Sequence, residues 1–228
     1  GDIGWMIRKD SPQLKTELNA FLARYPQGSV RRNLLLQQYW KSANYVKDAV
    51  SQEERAKFEQ MATFFRQYGH QYRLDYLLMA AQGYQESRLD QTVKSKVGAI
   101  GVMQVMPATG QQLQVGNIRQ LEPNIHAGVK YIRFMMDRYY EKEPMDPLNK
   151  GLFTFASYNA GPRRIAQLRQ ATAQRGFDPN TWFNNVELIA AEKIGRETVT
   201  YVSNIYKYYL AYTLLTEEQA ERAKAREA

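Results

Sequence analysis

The first hydrophobic positions of the chain alternate with other residues, which is the spacing of a half-buried β-strand. Ile3, Trp5 and Ile7 are each separated by one residue, so their side chains would share one face of a strand. A helix is predicted to follow Ser11, with a shorter helical run behind it. Because one strand cannot form a sheet with itself, the first 48 residues are interpreted either as the remnant of a neighbouring α/β domain or as an arm packed on the main domain.

The hydrophobic positions after residue 48 recur at the spacing of amphipathic helices. Ser51 and Glu54 form a capping-box pattern at the start of one helix, which is predicted to run to Gly69. Asp75 is the predicted N-cap of the apolar run YLLMAAQGYQESR. Four further helices are predicted to begin near Pro123, residue 147, Pro162 and Arg196. This part of the chain is therefore predicted to be mainly α-helical.

One segment between these helices lacks helical periodicity. The sequence VKSKVGAIGVMQVMP at residues 93–107 contains Gly98, Gly101 and Pro107. Glycine and proline interrupt regular structure, and glycine also lets a backbone turn sharply or approach a ligand closely. We therefore predict an irregular loop here, called the glycine loop below.

The composition indicates a packed protein with an excess of positive charge. Hydrophobic residues make up 44% of the 228 residues, and the formal net charge is +8. Such an excess attracts nucleic acid, anionic lipid or an acidic polymer such as a bacterial cell wall. Nucleic-acid binding is not favoured, because neither zinc-finger spacing nor an aromatic-basic RNA-binding motif accompanies the charge. The absence of cysteine excludes disulfides, thiolate metal sites and a cysteine nucleophile.

The sequence contains no targeting segment that can be recognised. No apolar run approaches the length of a transmembrane helix. The opening GDIGWMIRKD has neither an initiator Met nor the pattern of a signal peptide. The sequence is therefore interpreted as a mature or truncated chain.

Glu86 is the first candidate for chemistry, because it interrupts an apolar helical stretch. Packing of that helix in a core would desolvate the carboxyl and raise its pKa, and a carboxyl that stays protonated near neutral pH is a general acid. Asp90 could share a helix face with Glu86 if the helix continued that far. The sequence LDQTVKSK at residues 89–96 indicates a loop instead, so Asp90 is interpreted as a cap or a solvated residue.

Other kinds of catalytic group lack their usual sequence context. His70 and His126 are the only histidines, and neither has triad or metal-ligand spacing, so both are interpreted as surface or capping residues. No GxSxG, HExxH or P-loop sequence occurs, which removes the usual markers of triad hydrolases, zinc proteases and nucleotide enzymes. Carboxylate chemistry remains.

Five motifs occur in the order and spacing of a known catalytic domain. They are QESRLD at 85–90, GAIGVMQVMP at 98–107, NIHAGVKYI at 124–132, FASYNAGPRRI at 155–165 and ETVTYVSNIYKYY at 197–209. With these motifs the sequence resembles the lytic transglycosylase catalytic domain, which has a goose-lysozyme-like fold. GVMQ replaces the family's usual GLMQ, and SYNAG replaces AYNAG. Neither change removes a polar group that the chemistry needs.

The resemblance implies a domain organisation and a fold class. In one branch of this family, a domain resembling the periplasmic solute-binding proteins precedes the catalytic domain. Residues 1–48 would then be the C-terminal remnant of such a domain, and residues 49–228 would be the catalytic domain. The implied fold class is mainly α, a lysozyme-like helical domain of the goose type with a short N-terminal α/β remnant.

The resemblance implies that Glu86 is the catalytic residue, acting first as acid and then as base. The implied substrate-binding residues belong to the same motifs and are Ser87, Gly101, Met103, Gln104, Tyr131, Tyr158, Asn159 and Tyr201. Ser87 is expected to orient Glu86 or to bind substrate, and Met103 to form a wall. Spacing alone would place Tyr201 in the core, and the resemblance moves it to the site. No metal or organic cofactor is implied.

The activity implied by the resemblance is non-hydrolytic cleavage of the MurNAc-β-1,4-GlcNAc bond of peptidoglycan, which gives 1,6-anhydro-MurNAc products. The substrate's own N-acetyl group would assist, as in substrate-assisted glycosidases. The implied partners are peptidoglycan glycan strands and not nucleic acid. The implied location is the periplasm, peripheral on the inner face of the outer membrane.

Two other functions and several properties stay open. One alternative is a hydrolytic muramidase on the same fold, in which Asp90 or another carboxylate activates water. The other is a non-catalytic module that binds cell wall or senses solutes. The sequence leaves open the oligomeric state and whether cleavage is internal or from chain ends.

Overall fold

A computed structural model of the protein describes residues 7–24 and 51–227. The chain divides into two compact units, Gly1–Tyr45 and Val46–Ala228. In the first unit, helix α1 spans Pro12–Arg24, which confirms the helix predicted after Ser11. The predicted strand, except for Ile7, and the shorter helical run at residues 30–40 lie outside the described residues. The interpretation of residues 1–48 as a domain remnant stays a prediction.

The described residues of the second unit form helices and loops. The elements, numbered in chain order, are α2 (Gln52–Tyr72), α3 (Tyr76–Ser87), α4 (Pro107–Leu113), α5 (Leu121–Tyr140), α6 (Pro147–Ala160), α7 (Pro162–Gln174), a π-helical turn (Trp182–Val186), α8 (Glu187–Lys193) and α9 (Glu197–Glu227). Pairing between extended residues in residues 51–227 is confined to isolated bridges inside the glycine loop, Lys94 with Ile100 and Ile100 with Val105. The predicted mainly α architecture is confirmed, whereas α4, the π-helical turn and α8 were missed.

Helix α3 lies at the centre of the second unit. Every residue from Leu77 to Tyr84 is buried, because α3 packs against α2 and against α9. A helix that is apolar on all sides needs such an environment. Asp75 caps its N-terminus as predicted, since its side chain accepts a hydrogen bond from the Leu77 amide at 2.9 Å. Glu86 lies in the last turn of α3, at the boundary of the core.

Helix α2 begins as the capping pattern predicts but ends later. The Ser51 hydroxyl accepts from the Glu54 amide at 3.4 Å, while the Glu54 carboxylate pairs with Lys57 at 2.7 Å. The helix continues past Gly69, where it was predicted to stop, to Tyr72. Gly69 serves close packing, because a Cβ there would lie 2.9 Å from the Leu74 carbonyl oxygen.

Candidate active site

Glu86 lies where α3 ends and the chain turns into the glycine loop. Arg88 and Leu89 have φ values of 55° and 57°, and this left-handed backbone ends the helix directly after Ser87. The half-buried Glu86 side chain faces a cavity of about 490 Å³. The residues around this cavity are Gln85, Glu86, Asn159, Arg196, Glu197, Thr200 and Tyr201. Residues far apart in sequence thus converge on one carboxyl group.

The environment of Glu86 favours its protonated form. Burial raises the pKa of Glu86 from 4.5 to about 7, and the hydrogen bond from Tyr201 opposes this rise. Desolvation penalises the ionised carboxylate, whereas a donor to the carboxylate stabilises it. The rise in pKa predicted for Glu86 is confirmed. Both its acid and its base form are available near neutral pH.

Tyr201 holds Glu86 from α9. Its side chain is 7% exposed, and its hydroxyl donates a hydrogen bond to Oε1 of Glu86. Burial and the negative charge of Glu86 both raise the pKa of Tyr201 well above its ordinary value, so the phenol keeps its proton and acts as a donor. The structure brings Tyr201 into contact with the predicted catalytic residue.

Tyr158 connects α6 with the glycine loop. Its hydroxyl donates to the Met103 carbonyl oxygen at 2.8 Å. Burial, and next the charge of Glu86, raise its pKa well above the ordinary value. Its ring meets that of Tyr131 edge-on, with centroids 5.6 Å apart. Tyr158 therefore fixes the glycine loop to α6 and packs on Tyr131; neither tyrosine lines the cavity around Glu86, and their contact with substrate stays a prediction.

Ser87 fastens the glycine loop to the end of α3. Its side chain is buried, and its hydroxyl lies 2.9 Å from the Val102 carbonyl oxygen and 3.3 Å from that of Gly83. The hydroxyl oxygen accepts from the Asp90 amide at 3.1 Å. These bonds give Ser87 a positioning role for the loop that follows Glu86. Its contact with substrate stays a prediction.

Gly101 is required by packing within the loop. Its φ is 77°, and a Cβ there would lie 2.4 Å from Nδ2 of Asn124 and 2.6 Å from Nε2 of Gln91. Gln104, also at positive φ, donates from its amide nitrogen to the Gly101 carbonyl oxygen at 2.9 Å and to that of Val93 at 3.2 Å. Both residues shape the loop, and their contact with sugar stays a prediction.

Asn124 has a role that the sequence reasoning missed. It is fully buried on α5, where its Oδ1 accepts from the Met103 amide at 2.9 Å. Its Nδ2 donates to the carbonyl oxygens of Ile100 and Ile118 at 2.9 and 3.0 Å. Asn124 thus satisfies the backbone of the glycine loop from outside it. A buried amide in the motif NIHAGVKYI was the available signal.

Met103 lies behind the site surface. Its side chain is fully buried and packs on Gly128 of α5, where a Cβ would come within 2.5 Å of the Met103 Cβ. Met103 therefore supports the loop from the core and does not line the cavity around Glu86, and its contact with substrate stays a prediction. Tyr131 is half-buried, and its ring also stacks with Phe134 at a centroid distance of 6.2 Å.

The first residues of α9 and the end of α6 complete the cavity. Asn159 is exposed, and its Oδ1 accepts from the Thr198 hydroxyl at 2.7 Å. Arg196, Glu197 and Thr200 line the same cavity and were not predicted as site residues. Their positions follow from the packing of α9 against α3 and α6, which helical spacing alone does not reveal.

Comparison of the sequence with models of known protein families identifies the family of this chain. The model of the family described as "Transglycosylase SLT domain" matches residues 63–180, a range that includes Glu86 and the glycine loop. The chain belongs to the transglycosylase SLT domain family. The resemblance inferred from the five motifs is therefore confirmed.

The chain is similar to several curated proteins. It is 28% identical to membrane-bound lytic murein transglycosylase F of Ectopseudomonas mendocina, over 96% of this chain and 48% of that protein. It is 31% identical to the protein of that name from Pseudomonas fluorescens, over 75% of this chain and 37% of that protein. The chain spans about half the length of the first of these relatives and less of the second.

Solved structures show the fold of the SLT domain. An inactive mutant of the lytic transglycosylase Slt from Pseudomonas aeruginosa superposes with a TM-score of 0.55 at 21% identity, over 82% of this chain and 30% of that one. The 70 kDa soluble lytic transglycosylase of Escherichia coli gives a TM-score of 0.54 at 23% identity, over 81% and 29% of the two chains. The lysozyme-like helical fold predicted for the catalytic part is confirmed.

Asp90 and His126 lie outside the cavity around Glu86. Asp90 in the SLT domain is exposed, and its Oδ1 accepts from the amide and hydroxyl of Thr92 at 2.8 and 2.7 Å, which lower its pKa. Of the two interpretations, a cap or a solvated residue, the second is confirmed, because Asp90 is exposed and caps no described helix. His126 stacks on Tyr68 with centroids 4.1 Å apart, and burial lowers its pKa. Neither residue lines the cavity around Glu86.

Proposed function

We propose that this SLT domain is a peptidoglycan lytic transglycosylase that cleaves the MurNAc-β-1,4-GlcNAc bond and forms 1,6-anhydro-MurNAc ends. The main observation in support is the state of Glu86. This residue lines an open cavity, has a pKa of about 7 and accepts a hydrogen bond from Tyr201 on its carboxylate. The family and the names of the relatives, which are lytic murein transglycosylases, support the substrate class.

In the first step, protonated Glu86 gives its proton to the oxygen between the two sugars, and the bond from C1 of MurNAc to that oxygen breaks. The carbonyl oxygen of the substrate's own N-acetyl group bonds to C1 and takes up the developing positive charge. GlcNAc leaves with a free hydroxyl. The raised pKa of Glu86 supports this step, because the proton is present at neutral pH and leaves readily.

In the second step, ionised Glu86 takes the proton from the C6 hydroxyl of the same MurNAc ring. The C6 oxygen then bonds to C1, the bond from C1 to the N-acetyl oxygen breaks, and the 1,6-anhydro bridge closes. No water is consumed, and Glu86 returns to its protonated form. An attacking group in the same ring has a high effective concentration, which favours it over water.

A hydrolytic muramidase is the second candidate, and Glu197 favours it. Glu197 is exposed at the start of α9 and lines the same cavity as Glu86. A second carboxylate in such a position could act as a general base that activates water, as the second carboxylate of inverting glycosidases does. Glu197 replaces Asp90 as the residue on which hydrolysis would depend.

Mass spectrometry of the soluble products from purified peptidoglycan separates the candidates. We expect muropeptides lighter by one water than hydrolysed ones, and we expect Glu86→Gln to release none. Glu197→Gln should leave the mass of the products unchanged. Products with free reducing ends that disappear in Glu197→Gln would establish hydrolysis. Binding to peptidoglycan without any release by the unmodified protein would leave the non-catalytic wall-binding module.

The location and partners of the whole protein are part of the same proposal. We propose that it acts in the periplasm on glycan strands, at the inner face of the outer membrane. The names of the relatives as membrane-bound murein enzymes support this. In the part of the chain that the structure describes, no helix is long and apolar enough to cross a membrane. Separation of inner and outer membrane fractions from a source cell, followed by detection of the protein, tests the location.

A further inference from the structure

A third residue extends the contact between Tyr201 and Glu86 into the core. Gln82 is fully buried on α3, one helical turn before Glu86. Its Nε2 lies 3.3 Å from the Tyr201 hydroxyl oxygen, and that hydroxyl donates to Oε1 of Glu86. The three side chains therefore form a short chain of hydrogen bonds that begins in the core and ends at the carboxyl group in the cavity.

The direction of this chain follows from the number of protons. A phenol has one O–H to donate, while an ionised carboxylate only accepts. Once Tyr201 donates to Glu86, its oxygen offers only lone pairs to Gln82, so Gln82 must present its N–H and not its carbonyl oxygen. The Gln82 carbonyl oxygen has no hydrogen-bond partner. An unpaired buried oxygen destabilises the folded protein. This cost is consistent with a role for the amide nitrogen of Gln82, which bonds to Tyr201.

A donor to the phenol oxygen strengthens the donation from the phenol to its acceptor. Successive hydrogen bonds polarise one another in a medium of low dielectric constant, by about 10–30% per bond. The Gln82 N–H also engages a lone pair of the Tyr201 oxygen, and a donor cannot accept the Tyr201 proton, so the O–H keeps its direction toward Glu86. Both effects stabilise the ionised form of Glu86 against the burial that penalises it.

We propose that Gln82 is a positioning residue, which fixes the Tyr201 hydroxyl as a donor to Glu86 and so adjusts the strength of Glu86 as an acid and a base. The proposal rests on the proposed function for its effect on catalysis, but not for its effect on Glu86 itself. The titratable and charged groups that face Glu86 from neighbouring elements are Tyr201 and Glu197 of α9, Arg196 before α9, and Tyr158 of α6. Only Tyr201 receives the bond from Gln82.

The test compares the titration of Glu86 with the pH dependence of cleavage. Gln82→Met keeps the length of an unbranched side chain but removes the amide, and Tyr201→Phe removes the hydroxyl. The ¹³C side-chain NMR signal of Glu86, assigned by its loss in Glu86→Gln, gives its pKa directly. The rate of release of soluble fragments, measured as kcat/KM against pH, gives the pH above which the general acid is lost.

Both readouts should move in one direction. Loss of the bond from Tyr201 should raise the pKa of Glu86 by about one to two units, because a hydrogen bond to a charged group has about that strength. Gln82→Met should raise it by ~0.1–0.6 unit, the cooperative share of that bond, and the alkaline limb of kcat/KM should move up equally. In the Tyr201→Phe background, Gln82→Met should produce no further shift.

A purely structural role for Gln82 predicts different results. Gln82→Met would then lower stability or rate but leave the pKa of Glu86 and the alkaline limb in place, and that outcome overturns the proposal. An equal shift in the Tyr201→Phe background overturns it as well, since the effect would not pass through the phenol. Thr154→Val is the matched control, because Thr154 is also fully buried but bonds to the Lys150 carbonyl oxygen; it should move neither readout.

The NMR titration separates this proposal from the proposed function. If the protein releases no fragments but Gln82→Met still raises the pKa of Glu86, the positioning role stands and the proposed activity fails. If cleavage occurs and the pKa of Glu86 does not change, the activity stands and the positioning role fails. Gln82→Leu provides a second variant if Gln82→Met does not fold, because it also removes the amide that donates to Tyr201 and should raise the pKa of Glu86 by the same amount.

Discussion

Replacing Glu86 by Gln should stabilise the folded protein at alkaline pH while removing its activity. The pKa of Glu86 is about 7 in the folded protein against an ordinary 4.5. The folded state therefore binds the proton more tightly than the unfolded state, and this contribution to stability is complete below pH 4.5. It is lost as the pH rises through 7. A pKa difference of this size corresponds to about 3 kcal/mol, since one pKa unit is about 1.4 kcal/mol.

Gln is neutral at every pH, so Glu86→Gln does not undergo this loss. The free energy of unfolding of the variant minus that of the unmodified protein should rise by about 3 kcal/mol between pH 4 and pH 8. For a domain of this size the change corresponds to a gain of roughly 6–12 °C in Tm at pH 8 relative to pH 4. Any cost of fitting the amide is independent of pH and adds the same offset throughout.

Urea unfolding followed by circular dichroism at several pH values measures this difference. Asp90→Asn is the control, because the pKa of Asp90 is lowered from 3.8 by its bonds to Thr92, so the difference between this variant and the unmodified protein should stay constant from pH 4 to pH 8. Its contribution to stability is present above its ordinary pKa and is lost as the pH falls through its folded value. A difference between Glu86→Gln and the unmodified protein that stays constant from pH 4 to pH 8 would refute the reasoning that burial controls Glu86.

Three further predictions test the site and its support. The rate kcat/KM for peptidoglycan cleavage should fall tenfold per pH unit above about pH 7, as Glu86 loses its proton; a pH–rate profile that is flat to pH 9 contradicts the role of Glu86 as the acid. Glu187→Gln should also increase stability at pH 8 relative to pH 4, because burial raises the pKa of Glu187 to about 7, and urea unfolding measures the change. Gly101→Ala should cost about 3 kcal/mol or more, from its positive φ and the close approach of neighbouring side chains. The matched Gly98→Ala, which has positive φ but nothing within 4 Å of the added Cβ, should cost only about 1 kcal/mol. Equal losses in thermal unfolding would show that packing at Gly101 has no role.

The longer helices could be predicted from the sequence because the start and end of each depend on residues that are close to each other in the chain. Asp75 caps α3 two residues before the amide it accepts from, and Gly98 and Gly101 interrupt the helical pattern within a few positions. The missed elements lack such local signals. Helices α4 and α8 are only seven residues long, and the π-helical turn has Asn184 at a φ of 60°, a conformation that residues other than glycine rarely adopt.

The site divides in the same way. Five ordered motifs indicated Glu86, Tyr158 and Tyr201 as a group, and the apolar run before Glu86 predicted the direction of its pKa. Sequence spacing could not show that the Gln82 amide contacts the Tyr201 hydroxyl, or that Asn124 holds the loop. Those contacts join residues 119 and 21 positions apart in the chain, so they depend on how whole helices pack.

The sequence by itself therefore determined the helical class and the boundaries of most helices, and it indicated Glu86 as the candidate acid, because each depends on residues within a turn or two of one another or on an ordered set of motifs. The tertiary structure decided what surrounds that acid. The packing of α9 against α3 buries Glu86 and places Tyr201 on its carboxylate, and the start of α9 adds Glu197 to the same cavity. Desolvation and hydrogen bonds act over a few ångströms in space, so the chemistry of Glu86 is set only when these distant segments meet.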